Sequence, residues 1–472
     1  MSNDPMRIHL SLVSHTNIGK TTLARTLLGR DIGEVADRAH VTETTDDYVL
    51  ARTPEGCELI LWDTPGFGNS VALAKRLEGR SNPVGWFLSE VWDRVANKSL
   101  WLNQKALKHV KETSSVVLYL VNATELPDSA PYVTAEMRIL EWIGKPVIVL
   151  LNQMGEPKPP EAEQAEVDRW INAMSSYPIV KSVLPMDAFA RCWVQEFALF
   201  DAIAKALPEE LHATFDALRE VWSRKRRAAY NASIQAMAHY LKKLANDKEF
   251  AESASIGDQL KFLGKRLGLF KNETITAPVE AAQTALASRA ADEFCALTDR
   301  LIEINSLNGK GVRKELLRRM RSDWNIKSAI PITPVAVAGA VGTGAVSGLA
   351  ADFATGGLSL GVGSLIGTIA GALGSMGLAV FYNQKKEISG TVVTWSDGAI
   401  KKFFLEAILL YLAISHFGRG RGNWEEGEFP HFWKKYIQIN HKNEKFFIGS
   451  VESIFDEVIR QIFSRLYSKV RL

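Results

Sequence analysis

A lysine, two threonines and an aspartate at fixed spacings carry the first chemistry legible in this chain. Ser14-His15-Thr16-Asn17-Ile18-Gly19-Lys20-Thr21 follows the strand-like run Ile8–Val13 and opens the helix-like run Thr22–Leu28. Strand, tight loop and helix in that order suit a triphosphate. Amides at the helix start wrap phosphate oxygens, the Lys20 ammonium neutralises charge between the β and γ groups, and the Thr21 hydroxyl ligates Mg2+. Ser14, His15, Thr16, Asn17, Ile18, Gly19 and Thr22 are the other contact candidates. Ser14 stands where the general pattern has glycine, so a second motif must agree. Trp62-Asp63-Thr64-Pro65-Gly66 does, at the end of the apolar run Glu58–Leu61. It places a carboxylate at a strand end, suited to hold Mg2+ through water, and a Gly66 amide suited to a γ-phosphate. By itself Asp63–Gly66 would be an ordinary turn.

The elements that must position these residues alternate. Tyr48–Thr53 and Glu58–Asp63 read as a hairpin across Pro54-Glu55-Gly56, and Ser115–Asn122, Pro146–Leu151 and Ile179–Met186 as buried strands separated by helical stretches. The predicted fold is therefore α/β: a three-layer P-loop domain with a mixed, mostly parallel sheet and the ligand at the carboxyl ends of its strands. Trp86, Phe87, Trp92 and Trp101 sit at helical spacing and read as core or as packing on the next domain rather than as ligand-stacking rings. From about Phe189 to Asn325 the strand signal disappears, and steps such as Leu211, Phe215, Leu218 and Trp222 predict an all-α domain. Arg224-Lys225-Arg226-Arg227 on one of its helices reads as a solvated face.

Asn17-Ile18-Gly19-Lys20-Thr21-Thr22-Leu23 with Trp62–Gly66 resembles the Era- and TrmE-like branch of the translation-factor GTPases. With Ser14–Asn17, Gly33-Glu34-Val35-Ala36-Asp37-Arg38 and His416-Phe417-Gly418-Arg419-Gly420-Arg421-Gly422, the chain is similar to bacterial proteins that join such a GTPase to a C-terminal domain of unknown function. The resemblance implies GTP or GDP with Mg2+, and a switch threonine on the metal. Thr42 fits without a gap after Asp37-Arg38; Thr45 is the alternative. Where the branch has Asn-Lys-x-Asp after a buried strand, this chain has Asn152-Gln153-Met154-Gly155. Asn152 carries over, but the aspartate that takes two hydrogen bonds from guanine does not, which leaves GTP against ATP open. Asp187 and Ala188, in Met186-Asp187-Ala188, are expected as the last base-contacting loop. Phe67 follows Gly66 where Ras-like enzymes place a water-orienting glutamine. The expectation is slow hydrolysis, speeded by a cation, a partner or a second subunit; the alternative is a domain that binds nucleotide and hardly turns over. Lys20, Thr42 and Gly66 are the expected catalytic residues, and Thr21, Thr42 and Asp63 the metal set.

At 472 residues the chain is too long for one core. Its 46% hydrophobic and 23% charged content exclude wholesale disorder. Cys57, Cys192 and Cys295 are far apart, which excludes a disulfide framework or thiolate metal site and points to a reducing compartment. A net charge of +3 is too small to argue for nucleic acid, which is not expected as a partner. Met1-Ser2-Asn3-Asp4-Pro5 lacks the regions of a signal peptide, so the nucleotide domain is expected in the cytoplasm.

Ser328–Ala351 and Phe353–Gln384 contain no charge, and each exceeds the roughly twenty residues that cross a bilayer. Glycines recur through both, as in a glycine zipper, and basic residues flank them. The expectation is an apolar helical hairpin at the inner face of the cytoplasmic membrane, peripheral or inserted. The rival is a soluble glycine- and alanine-rich pair, since Pro331 and Pro334 disturb its start. Beyond it, Ala399–Ser415, Trp424–Trp433 and Phe447–Val470 read as helices, and Arg419 and Arg421 as phosphate or headgroup contacts or a solvated turn. The expected organisation is 1–190 GTPase domain, 191–327 helical, 328–384 membrane hairpin and 385–472 helical. The first functional expectation is a GTPase whose nucleotide state governs membrane contact. The alternatives are a soluble switch acting on protein or RNA and a nucleotide-stabilised pore or scaffold; a homo-oligomer stays open.

Overall fold

Alternation with a period of two sorts the strand residues onto the two faces of one sheet. In a computed structural model describing residues 5–29, 46–89, 98–155, 158–188, 192–251, 277–307, 378–382, 391–417, 433 and 450–467, strands β1 (Arg7–Ser14), β2 (Asp46–Arg52), β3 (Glu58–Asp63), β4 (Val116–Asn122), β5 (Val147–Asn152) and β6 (Val180–Pro185) pair in the order β2-β3-β1-β4-β5-β6. Only β2 runs antiparallel, as the hairpin partner of β3. Ile8, Leu10, Leu12, Val116, Leu118, Leu120, Ile148 and Leu150 face one core, shared with Leu23, Phe197, Phe200, Phe215 and Trp222. Val13, Val117, Tyr119, Val121, Val149 and Leu151 face the other, with Phe67, Phe87, Met137, Leu140 and Trp170.

Helices α1 (Lys20–Leu28), α7 (Trp193–Ala206) and the start of α8 (His212–Asn246) supply the first core. The second takes α2 (Ser70–Leu77), α3 (Pro83–Ser89), α4 (Lys98–Glu112), α5 (Pro131–Ile143) and α6 (Pro160–Met174). Both cores lie in one of two compact units, Met1–Tyr230 with Ser415–Gly422 and Arg460–Leu472; the other comprises Asn231–Ile414 and Asn423–Ile459.

The second unit is not all helix. Beside helix Ala277–Ile304, nearly all of helix Asp397–Ser415 and the first part of helix Val451–Leu466, it holds an antiparallel sheet of β7 (Lys248–Ala251), β9 (Thr391–Trp395) and β8 (Leu378–Tyr382), in that order. This corrects three expectations: a strand-free stretch after Phe189, a helix through Gln384, and a wholly helical 385–472. Leu-Ala-Val-Phe-Tyr and Thr-Val-Val-Thr-Trp are rich in β-branched and aromatic residues that fit a pleated surface. Lack of charge had merged the first of them into the apolar run. Residues 328–377 and 383–384 of the expected hairpin, and Gly33–Arg38, Trp92, Arg419 and Arg421, lie outside the described residues. Among the described residues no helix is long and apolar enough to cross a membrane. Cys57, Cys192 and Cys295 form no disulfide.

Candidate functional site

The phosphate loop hangs between the end of β1 and the start of α1. Asn17 (φ 64°) and Gly19 (φ 93°) take left-handed backbone, which turns successive amides inward as an anion nest needs. Glycine is required at 19 for a second reason: a Cβ there would lie 2.8 Å from Asn152 Nδ2. Lys20 is buried, with Nζ donating to Ser14 Oγ (3.1 Å) and the His15 carbonyl (3.5 Å). Burial holds its ammonium below the ordinary lysine range, while Asp63 and Glu136 pull it back up. An ammonium kept dry, with no carboxylate in contact among the described residues, is poised for an anionic ligand. Gly66 approaches so closely that a Cβ would meet Lys20 Nζ at 2.9 Å and Thr16 Cα at 3.0 Å. The loop that carries it is fixed to β1 by Thr64 Oγ1 donating to the Leu12 carbonyl (2.6 Å) and by Phe67 N donating to the Ser14 carbonyl (2.9 Å).

Thr21 Oγ1 donates to Asp63 Oδ2 at 2.5 Å, and Asp63 Oδ1, also buried, has no hydrogen-bond partner among the described residues. Burial pushes the Asp63 carboxyl up, opposed by the Thr21 hydroxyl and Lys20. A buried oxygen left without a donor is costly in a folded protein, and beside a threonine hydroxyl it fits a hard divalent cation with its water. Phe67, by contrast, has 0% exposure and packs in the second core, away from solvent. Thr42 and Thr45 lie outside the described residues.

Asn152, at the end of β5, joins three loops. Its Nδ2 donates to the Ile18 carbonyl (2.6 Å) and its Oδ1 accepts from Ala188 N (2.8 Å). Gln153 Nε2 reaches the Asn17 carbonyl at 3.4 Å, and Met154 N donates to Asp187 Oδ2 at 2.6 Å. The structure thus gathers Ser14 through Thr22, Asp63, Gly66, Asn152, Asp187 and Ala188 at the carboxyl edge of the sheet.

Two features escaped the sequence reading. His15 Nδ1 lies 2.8 Å from Oε1 of Glu136, a carboxylate with 0% exposure whose Oε2 accepts from Tyr119 OH (2.9 Å), and Tyr132 stacks on the His15 ring at 4.6 Å. Burial lifts the Glu136 carboxyl, with the His15 and Tyr119 hydrogen bonds opposing. The signal was present: Glu136 shares a helix face with Val133, Met137 and Leu140, where a carboxylate is out of place. The other is Arg226, expected to be solvated. Its Nε and Nη2 donate to Glu196 Oε2 (2.9 Å) and Oε1 (2.8 Å), and Nη2 also to the Leu27 carbonyl (3.2 Å).

Residues 9–153 match the family model described as 50S ribosome-binding GTPase, and residues 179–436 match DUF3482, a domain of unknown function. The first part of the chain is thus a P-loop GTPase domain, for which GTP or GDP and Mg2+ are the ligands. GTPase Era of Aquifex aeolicus (strain VF5) is 25% identical over 206 residues, and the match spans 43% of this chain and 57% of that protein. Among solved structures, Era in complex with MgGDPNP and nucleotides 1506–1542 of 16S ribosomal RNA is 21% identical, with a TM-score of 0.32 over 44% of this chain and 58% of that one. A variant of Aquifex aeolicus Era bound to GDP·AlF4− is also 21% identical, with a TM-score of 0.32 over 43% and 58%.

Proposed function

We propose a GTP-hydrolysing switch, from the premise that this chain belongs to the DUF3482 family and carries a GTPase domain ahead of that region. The observation that carries the proposal is the pairing of a buried Lys20 ammonium, in contact with no carboxylate among the described residues, with a buried Asp63 oxygen that lacks a donor among them. The first complements phosphate, the second a hydrated cation. Thr21 and Asp63 would hold Mg2+, which supplies charge neutralisation at the phosphates. Thr42 belongs to that set by the sequence resemblance. Lys20 and the amides from Thr16 to Thr22 orient the triphosphate, and the Gly66 amide meets its γ end.

Turnover is slow without help, because Phe67 is committed to the core and offers no polar group to attacking water. The group missing from such sites is worth about 10³–10⁵ in rate when a partner supplies it. Phosphate release from GTP with Mg2+, measured beside Lys20→Ala, tests this reading; equal rates in the two proteins overturn it.

The target of the switch has two candidates. The 50S ribosome-binding description of the matching family favours RNA or a ribosomal particle, and co-sedimentation with ribosomal subunits in GTP and in GDP tests it. The charge-free stretches within 328–384 support bilayer contact at the cytoplasmic face, and flotation with anionic vesicles tests that. A chain that neither sediments nor floats in either nucleotide state overturns both.

A further inference from the structure

Pro65 has no N–H, but Gly66, Phe67 and Gly68 after it each carry one, and all three residues are buried, so each amide needs an acceptor. Phe67 N donates to the Ser14 carbonyl at 2.9 Å, and Gly68 N donates to Asn103 Oδ1 at 3.0 Å. Gly66 N, directly before them, makes no hydrogen bond among the described residues. We propose that Asn103 is a positioning residue for the triphosphate: by holding Gly68, its carboxamide presents the Gly66 amide to a γ-phosphate before any ligand arrives. The proposal rests on the reading of Gly66 as the γ-phosphate contact.

Asn103 is out of place where it stands. It lies on α4 with Leu107 and Val110, at steps of four and three, on the face that packs into the second core, and like them it has 0% exposure. Only the carbonyl oxygen of its amide can face the Gly68 N–H, so the nitrogen points elsewhere, and Nδ2 is buried with no partner among the described residues. An apolar side chain would fill the position without an orphaned donor. Packing therefore does not account for an asparagine here, whereas the bond to Gly68 does.

What that bond fixes is specific. Thr64 Oγ1 on the Leu12 carbonyl holds the segment ahead of Gly66, and Phe67 N on the Ser14 carbonyl holds it behind, both to β1. Asn103 adds a hold from α4, so the segment is gripped by two elements rather than hinged on one. Gly66 in turn stands so near Lys20 that a Cβ on it would lie 2.9 Å from Nζ, which brings an anion on that ammonium within reach of the Gly66 amide. A donor fixed beforehand needs no reorganisation when its ligand binds. The α- and β-phosphates rest on the loop from Thr16 to Thr22 instead, so loss of the Asn103 hold should be felt by a triphosphate and not by a diphosphate.

The test is a calorimetric titration of the full chain, with Mg2+, against GDP and against GDPNP, a GTP analogue that is not hydrolysed, repeated on Asn103→Leu. The substitution exchanges an orphaned Nδ2 for an orphaned Gly68 N, so the fold should survive it. Asn103→Leu should weaken GDPNP at least about 10-fold and leave GDP within about 2-fold, a split that general damage to the site cannot produce. Equal losses for the two nucleotides, or no loss for either, overturn the role of Asn103 and leave the GTPase reading intact. A wild type that binds neither nucleotide overturns both. If Asn103→Leu does not fold, hydrogen exchange on the unaltered protein decides: a Gly68 amide that exchanges as slowly with GDP as with GDPNP supports a hold set in advance, and one that slows only with GDPNP overturns it.

Discussion

A single methyl group at Gly19 should separate the base loops from the phosphate loop. In Gly19→Ala the new Cβ lies 2.8 Å from Asn152 Nδ2, inside contact distance, and the backbone at φ 93° penalises any L side chain. The left-handed strain costs about 1–2 kcal/mol. Displacing the Asn152 amide breaks its bonds to the Ile18 carbonyl and from Ala188 N, each contributing about 0.5–1.5 kcal/mol. The total is about 2–5 kcal/mol, and because the broken bonds hold the base loops, GTP affinity should fall with stability. Gly29 provides the control. It is also left-handed, at φ 67°, but among the described residues no atom lies within 4 Å of its Cβ position. Gly29→Ala should thus cost about 1–2 kcal/mol from strain alone and leave GTP affinity unchanged. Urea unfolding and a GTP titration on both variants decide the matter. If the two lose equal stability, or if Gly19→Ala binds GTP as the wild type does, the bridging role given to Asn152 is wrong.

Removing the ammonium in Lys20→Ala should weaken GTP binding by about 10- to 100-fold, the worth of a charge-assisted contact, as read by calorimetry. Glu136→Leu leaves the buried Tyr119 hydroxyl without its acceptor and should cost at least about 1–3 kcal/mol in urea unfolding; a stability unchanged by the substitution would remove Glu136 from the site's support. Acid should weaken the fold through His109, whose pKa burial, with His9 adding, lowers to about 4 from an ordinary 6.5. Between those values the unfolded chain takes up a proton that the folded chain excludes, so this contribution destabilises progressively as pH falls from 6.5 towards 4. His109→Gln can keep a hydrogen bond to Ser11, now 2.9 Å from Nε2, and should show a shallower fall in urea midpoint across that window than the wild type does.

The nucleotide domain was legible because its signals are local. A strand, a glycine-bearing loop and a lysine-threonine pair are contiguous, and Asp63 needs only a strand end to be placed beside Thr21. Uninterrupted apolar runs likewise marked β4 and β5 as buried strands. What stayed hidden depends on distant partners. Glu136 gains its meaning from His15, far away in sequence, and β8 and β9 become strands by pairing with each other and with β7. Arg226 looked like one of four cations on a solvated helix because nothing near it in sequence announces the carboxylate of Glu196. Asp187 stood in a three-residue match, and its bond from Met154 N, across 33 positions of chain, is visible only in the fold.

The grip of Arg226 on the Leu27 carbonyl bears on how nucleotide is sensed. Leu27 lies in the last turn of α1, whose carbonyls lack partners within the helix, and a guanidinium anchored on buried Glu196 satisfies one of them. The front of that helix carries Lys20 and Thr21, the residues proposed to meet the phosphates; Leu27, about 10 Å further along at 1.5 Å per residue, is pinned to α8. So short a rod has no slack to take up a shift at one end. A tilt imposed on the front of α1 by a γ-phosphate would load the bond at the other, which puts α8 in a position to register whether the phosphate is there.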